Sequence, residues 1–508
     1  MDMGIEIMDD YTIKISGRLC LLWIGYVALK GTYNIFFHPL SCFPGPLFLG
    51  ATSWRKAYLE SVRQISMTHY LFELHEKYGD IVRVAPNELH FTKPDAFHDI
   101  YSPLIRWDKD PTLYKTFNED NSSFGILTYA ESKKRKDVLN PLFSRRAITQ
   151  MQGIVLQRVE SLVNALIRQN SLRKSADLLL AFRSFSLDTI STYCFAKSTE
   201  ATGVADFGSP VVRHMQESIP MFLVLKNVAL LRNLMFSLPP RLASMLSSEA
   251  GELAGLLAGV KSQIHDFMQD PDRLEKVSHE TIYHRLLDPA SYPSGVRPGF
   301  RDLYDEAQLL LTAGSLTIAD VLIVGWFNVL DQPALYQELR EEVVAAWPDR
   351  TKAPLLEDLE KLPLLTAIIK ESLRVAPAVS TPLPRIVPPS GARINGTKVP
   401  GGAVVSMSIV HMHLSPEVFD NARVFRPSRW LGPDGKELEK WLVPFSRGPR
   451  MCPGSTLAWC ELYLVFATLT RRLDMKLDGT TAEDMVWRDC FVPYYDRRHL
   501  HAWCEPAA

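Results

Sequence analysis

The spacing of apolar residues changes several times along this chain, and each change marks a different kind of element. Near the start, Leu19 to Leu29 is an apolar run that resumes, after Lys30, from Tyr33 to Phe37. The two parts together reach about 20 residues, the length of helix that crosses a bilayer. Three readings are open: a membrane-anchor helix, a cleaved signal peptide, and an amphipathic or buried helix. Arg18 and Lys30 count against the first, and the lack of a small-residue cleavage site counts against the second. Basic residues flank both ends, so charge does not fix an orientation.

Phe43-Pro44-Gly45-Pro46 follows, and two prolines so close together stop any helix, which predicts a stiff hinge. The organisation expected is an anchor and Pro-rich hinge over 1–46 and one large domain over 47–508. Gly79 to Ala85 and Glu88 to Phe91 have strand composition between turn signals, predicting a small β region. From about residue 120 to 375, apolar residues recur every three or four positions. The longest such stretches are Met151 to Ile167 and Tyr304 to Leu330, the latter stopped at Asp331-Gln332-Pro333. Irregular, proline-rich chain is expected over 376–450, then a last helix from Ser455 to Leu473. The fold class predicted is mainly α with a small β region.

Composition supports a large globular body: 508 residues, 46% hydrophobic and 22% charged. With 56 basic against 57 acidic residues, the whole-chain positive field that accompanies nucleic-acid binding is missing. Seven scattered cysteines make a disulfide framework a poor reading and point to a reducing compartment or a liganding thiol.

The richest chemistry lies in Phe445-Ser446-Arg447-Gly448-Pro449-Arg450-Met451-Cys452-Pro453-Gly454, which runs into the last helix. A cysteine before a helix N-terminus sits where N–H groups and the dipole favour thiolate, as an iron ligand requires. Gly448 allows a tight turn beside a flat cofactor, Arg450 can pair with a propionate and Phe445 can cover a ring. The bland alternative is an inert core cysteine. Glu371-Ser372-Leu373-Arg374 places Glu371 and Arg374 on one helix face, where a pair is most often a surface salt bridge.

The ten-residue segment resembles the haem-binding loop of the cytochrome P-450 family, Phe-x-x-Gly-x-Arg-x-Cys-x-Gly, at every specified position. The resemblance implies that family's fold, with haem b between the long helix and the loop and with Cys452 as the iron's thiolate ligand. It adds Arg429 to Glu371 and Arg374 as a buried structural charge network, and makes Arg385 a propionate partner. It makes Ala313-Gly314-Ser315-Leu316-Thr317 an oxygen-binding kink, with Ala313 and Gly314 making room and the Thr317 hydroxyl catalytic.

Two departures stand out. Leu316 replaces the usual acid, leaving Asp320 as a substitute only through water or a shifted register. Ser132 and Lys136 occupy the positions where the family has a ring and an arginine facing the propionates; Lys136 is then the propionate partner, and Arg135 can compensate. The basic run 133–136 can also steer an acidic reductase, or be merely solvated.

His38-Pro39-Leu40 leading into the hinge resembles the fungal microsomal branch, which oxidises secondary metabolites. The resemblance implies a monooxygenase that inserts one oxygen atom from O2 into a lipophilic terpenoid, polyketide or similar intermediate. Electrons would come from NADPH through a separate cytochrome P-450 reductase, with cytochrome b5 as a further partner. The location implied is the endoplasmic reticulum membrane, with a single-pass anchor and a cytosolic catalytic domain. Leu309, Leu310, Ala313, residues 378–383, Phe491 and Val492 are the expected apolar pocket walls. The rivals are a haem-thiolate isomerase, dehydratase or reductase that does not cleave O2, and a non-catalytic haem-binding protein.

Overall fold

The computed structural model describes residues 2–237, 248–292 and 295–507. The first helix, Asp2–Phe36, carries an apolar segment Ser16–Phe36 with mean hydropathy 1.3, of which 6% is buried. A helix this apolar and this unburied matches the anchor reading better than the buried-helix one. Its end is tied down: Asn34 Nδ2 donates to the Ala51 carbonyl at 2.8 Å. The proline hinge is not a free spacer. Leu40 is fully buried, Phe43 packs beside it, and Arg83 N–H donates to the Pro44 carbonyl at 2.8 Å. Residues 40–46 therefore pack with the body.

The core is built around the long helix Phe300–Leu330, which begins four residues before the expected Tyr304 and ends where Asp331-Gln332-Pro333 predicts. Its main partner is Leu178–Phe195, a helix buried on nearly every side, whose first turn is capped by Asp177 accepting from Leu180 N–H at 3.1 Å. Arg145–Ser171, Pro363–Val375 and Ser455–Arg472 complete the layer around it. The stretch 120–375 is less uniformly helical than its periodicity suggests: 3-10 turns and irregular chain fill most of 196–209, 270–281, 287–292 and 295–299.

The expected strands form as Ile81–Ala85 and Glu88–Phe91, paired antiparallel. They are joined by Val404–Ser406, parallel to the second, and by Arg385–Ile386, two strands from the stretch expected to be irregular. Ala176–Asp177, His501–Pro506 and Leu473–Leu477 make a second sheet, and Arg488–Cys490 with Val492–Tyr494 makes a hairpin. The sheet bearing Arg385 brings it to Lys109, with which it forms an isolated bridge.

Between the first sheet and the helix Met67–Tyr78 lies a chain of buried histidines. His75 Nδ1 is 2.7 Å from the Gly79 carbonyl, so it carries the proton. His75 Nε2 then accepts from His90 Nδ1 at 2.7 Å, and His90 Nε2 accepts from Ser408 N–H at 3.1 Å. Both rings are thereby neutral. His411 stacks on Phe72 with centroids 3.8 Å apart, and neither of its ring nitrogens has a partner. Burial, followed by the neighbouring histidines, holds His90 and His411 well below the ordinary value of 6.5. The unfolded chain takes up these protons as pH falls through 6.5 while the folded chain refuses them, so stability is full above that pH and is lost below it. The thermal midpoint should fall between about pH 7.5 and about pH 5.5. His411→Phe, which keeps the stack on Phe72, should flatten that fall; an unchanged slope would refute the account.

Candidate haem and oxygen site

Cys452 lies in the short loop between the 3-10 turn Gly448–Arg450 and the helix Ser455–Arg472, and its backbone N–H donates to the Phe445 carbonyl at 3.0 Å. Phe445 thus closes the loop through its backbone, while its ring packs against the main core. Gly448 has φ +72°, as a tight turn requires, but the close approach it permits is to protein. A Cβ there would lie 2.5 Å from the Tyr101 carbonyl oxygen and 2.7 Å from that of Ser102. The Cys452 side chain reaches solvent, yet the protein around it pushes the thiol up from its ordinary value, with the Gly454 N–H and Lys136 pulling the other way. The lowering expected from the helix start is outweighed by burial; a bound metal would remove the proton regardless.

Around this loop the structure gathers cations. Arg385 is buried and donates to the Tyr114 hydroxyl at 2.6 Å. Arg450 donates to the carbonyls of Trp107 at 3.3 Å and Leu127 at 2.8 Å, and its Nη1 is buried with no partner. Lys109 is 4% exposed and donates to the carbonyls of Ser123, Phe124 and Ile126. Burial and then the charges of Arg450 and Arg385 drive Lys109 well below its ordinary range, and Arg450 falls to about 10 through burial and then Arg385. Lys136, from the helix Tyr129–Leu139, hydrogen-bonds the Met451 carbonyl and adds its field. Asp108 is 3.9 Å from Arg450, too long for a hydrogen bond. An orphaned guanidinium N–H among converging buried cations suits a dianionic group, so the residues present fit the two carboxylates of a haem.

Arg135 does not join them. It pairs with Asp302 at 3.0 Å and lies 3.8 Å from Glu306, because two carboxylates of the long helix outcompete the more distant loop. Lys133 pairs with Asp137, and the Ser132 hydroxyl donates to the Ser123 carbonyl at 2.8 Å.

The structure brings Glu371, Arg374 and Arg429 together, with two further donors beside them. Arg374 grips both Glu371 oxygens at 2.8 and 2.7 Å, and Arg429 Nε reaches Oε1 at 3.0 Å. The Trp430 indole donates to Oε2 at 2.9 Å and Arg426 N–H to Oε1 at 2.8 Å. Burial raises the Glu371 carboxyl, but Arg374 and the other donors outweigh it and leave it below its ordinary value.

On the long helix, Ala313 is exposed and Thr317 half-buried; the Thr317 hydroxyl donates to the Ala313 carbonyl at 2.9 Å, leaving its lone pairs free to accept. Gly314 does not make room for oxygen: a Cβ there would meet Ile190 Cγ1 at 2.5 Å, so the missing side chain serves close packing on the helix Leu178–Phe195. Leu316 packs with Leu223, Cys490 and Val492, and Phe222 and Phe491 border the same cluster. Asp320 is not free to reach the site directly, because Arg183 holds it at 3.1 Å.

The expected walls are partly revised. Leu310 is buried in the main core, and Ser380 and Thr381 bond to the Asp489 carboxylate. Phe491 meets Phe117 at 4.8 Å, Phe222 at 5.4 Å and Phe124 at 6.0 Å between centroids. Lys109, Tyr114 and three of these phenylalanines escaped the sequence reading; Lys109 sits in a mixed charge run that nothing local separates from a solvated one.

Glu371→Ala leaves two buried arginines without a counter-charge, which is expected to destabilise the fold by about 3–5 kcal/mol. Denaturant unfolding would check it; a loss under about 1 kcal/mol, the scale of a surface ion pair, would contradict the burial argument.

The model of the Cytochrome P-450 family matches residues 52–490. The chain is 34% identical to the cytochrome P-450 monooxygenase flvC of Aspergillus flavus over 100% of its own length and 99% of that protein's. It is 32% identical to the conidiogenone synthase of Penicillium rubens, covering 92% and 94%, and 31% identical to a tryptophan 6-hydroxylase of Fusarium equiseti, covering 92% of both. With a match of this extent and relatives aligned almost end to end, the chain belongs to the cytochrome P-450 family, the haem-thiolate monooxygenases, among its fungal members of secondary metabolism.

Proposed function

We propose that Cys452 is the axial thiolate ligand of haem b and that Arg450 and Arg385 hold its propionates, with Lys109, whose N–H groups already serve three backbone carbonyls, adding only its field. Lys136 braces the loop from the side through the Met451 carbonyl. The observation that carries this reading is the partnerless Nη1 of Arg450 among buried cations beside the Cys452 loop. When bound, the haem supplies the chemistry that reduces dioxygen and inserts one oxygen atom into a C–H or C=C bond. Thr317 acts as the hydroxyl that accepts and passes a proton, and Ala313 leaves space beside it. The domain division is an anchor over about the first 37 residues and a single haem domain that includes the packed hinge.

The substrate proposed is a lipophilic terpenoid, polyketide or related skeleton, since Phe117, Phe124, Phe222, Phe491 and Leu316 offer rings and aliphatic surface and few polar groups. The hydroxylase name of the Fusarium relative favours hydroxylation. Electrons come from NADPH through a separate reductase, with cytochrome b5 as a second donor. A groove beside the Cys452 loop is lined by Arg145, Lys370 and Arg447; Arg145 pairs with Glu360 and Lys370 with Glu439, so Arg447 is the basic side chain it offers an acidic partner. The apolar Ser16–Phe36 helix supports a single-pass anchor in the endoplasmic reticulum membrane with the haem domain in the cytosol. A second reading, haem-thiolate chemistry without O2 cleavage, is favoured by one observation: Leu316 stands where an acid is usual.

Reduced protein with carbon monoxide should show the red-shifted Soret band of thiolate ligation, and Cys452→Ala should abolish it; a wild-type spectrum of histidine type would end this reading. Membranes carrying the chain and a reductase, given a panel of terpenoid and polyketide intermediates, should form oxygenated products by mass spectrometry only with dioxygen. Product formation without dioxygen would favour the second reading. Removal of residues 1–37 spares Leu40 and should weaken membrane association while haem content persists, as sedimentation and absorbance would report.

A further inference from the structure

The hairpin near the end of the chain is reversed by a single residue. Cys490 pairs directly with Val492, so Phe491 alone makes the turn, and it does so at φ +78°. A reversal this tight is the geometry of a γ-turn, whose form with φ of about +75° is rare and strained. Glycine would take it freely, whereas a bulky side chain there is an outlier. Backbone held in such a region persists only where its surroundings over-determine it, and ligand clamps are among the places where that is found.

The surroundings here converge on one carboxylate. Asp489 is 3% exposed, and its Oδ1 accepts from the Phe491 N–H at 3.1 Å, from the Ser380 hydroxyl at 2.7 Å and from the Thr381 hydroxyl at 2.5 Å. Its Oδ2 accepts from the Thr68 hydroxyl at 2.7 Å. Hydrogen bonds to a charged acceptor are the strong ones, so these hydroxyls fix the carboxylate against the segment after Pro363–Val375 and against the helix Met67–Tyr78. Ser380 N–H closes the arrangement by donating to the Phe491 carbonyl at 2.9 Å. Residue 491 is therefore tied on both sides, by its N–H to Asp489 and by its carbonyl to Ser380.

A fixed backbone fixes the direction of the ring. The Phe491 ring packs among Phe117, Phe222 and Phe124, while Cys490 and Val492 on either side of it share a cluster with Leu316 of the long helix. We infer that Asp489 is a positioning residue: it locks Phe491 in the left-handed conformation so that the ring is a rigid wall of the substrate chamber. Such a wall is ordered before the ligand arrives, so a rigid ring skeleton gains contact with it at little entropic cost, whereas a flexible chain must still be ordered. The substrate class this favours is the fused or linked ring system over the open-chain lipid. The inference rests on the proposed reading that Phe491 lines the chamber.

The test uses the full chain with haem in membranes and three probes whose nitrogen binds the iron. Imidazole reaches the iron alone, a biphenylmethyl imidazole extends a rigid pair of rings into the chamber, and a nonyl imidazole extends a flexible chain. Spectral titration gives each Kd. The wild type should prefer the biphenylmethyl probe to the nonyl one, and Asp489→Ala should weaken the former about tenfold, the scale of one ring contact, with imidazole unchanged. Asp489→Asn keeps an oxygen for the Phe491 N–H and should retain most of the preference. Phe491→Ala should weaken the biphenylmethyl probe like Asp489→Ala, and the double replacement no further, because the carboxylate acts through that ring. If Asp489→Ala does not hold haem, Ser380→Ala removes one donor from the same clamp and should give a smaller loss, again absent when Phe491 is already Ala. A lowered thermal midpoint with unchanged preference would show a structural role only and overturn the inference, as would losses that add in the double replacement. A biphenylmethyl probe indifferent to Phe491→Ala would instead refute the chamber reading, so the two failures are told apart.

Discussion

The buried Glu371 carboxylate is the constraint from which the haem-loop side of the molecule is organised. It ties the helix Pro363–Val375 to the 3-10 turn Pro427–Trp430 through Arg429 and Trp430. The same Arg374 that grips Glu371 donates onward to the carbonyls of His413 at 2.9 Å and Ala422 at 2.6 Å. His413 in turn accepts from Val443 N–H at 2.8 Å, two residues before the loop that ends in Cys452. Burial and the charge of Arg374 hold His413 down to about 3, so it stays neutral and keeps that acceptor available. A carboxylate far from Cys452 in sequence therefore sets the path of the chain that carries it.

Two kinds of buried charge are present, and they serve different ends. Around Glu371 two arginines share one carboxylate, and no buried side-chain nitrogen or oxygen of the three is left without a partner, so the cluster is closed and its role is structural. Around Arg450 the balance is open: cations outnumber nearby carboxylates and one guanidinium N–H has no acceptor. Burial makes such an imbalance costly, and a dianionic ligand removes it. The closed cluster holds the framework, and the open one has the charge imbalance that a dianionic ligand would correct.

The long helix carries several demands on different faces. Gly314 gives up its side chain so that Ile190 can approach, Leu316 fills an apolar cluster, and Ala313 and Thr317 face more open space. The helix thus combines tight packing with a hydroxyl whose lone pairs are free, and the aromatic cluster of Phe117, Phe124, Phe222 and Phe491 extends that apolar lining.

The sequence by itself determined what depends on neighbours in the chain. The apolar run before residue 37, the paired strands at 81–91, the stop of the long helix at Asp331 and the ten-residue context of Cys452 are all local patterns. So is the three-residue spacing of Glu371 and Arg374, because helix geometry turns that spacing into contact. Only the tertiary structure decided the rest. Lys109 and Arg385, Arg183 and Asp320, and Phe117 and Phe491 are separated by a hundred residues or more, and no periodicity links them. Arg135 shows the same limit from the other side: its charge and position suited a propionate, but the long helix brought Asp302 and Glu306 closer. Local pattern fixes which face a residue presents, and the packing of distant elements fixes what that face meets.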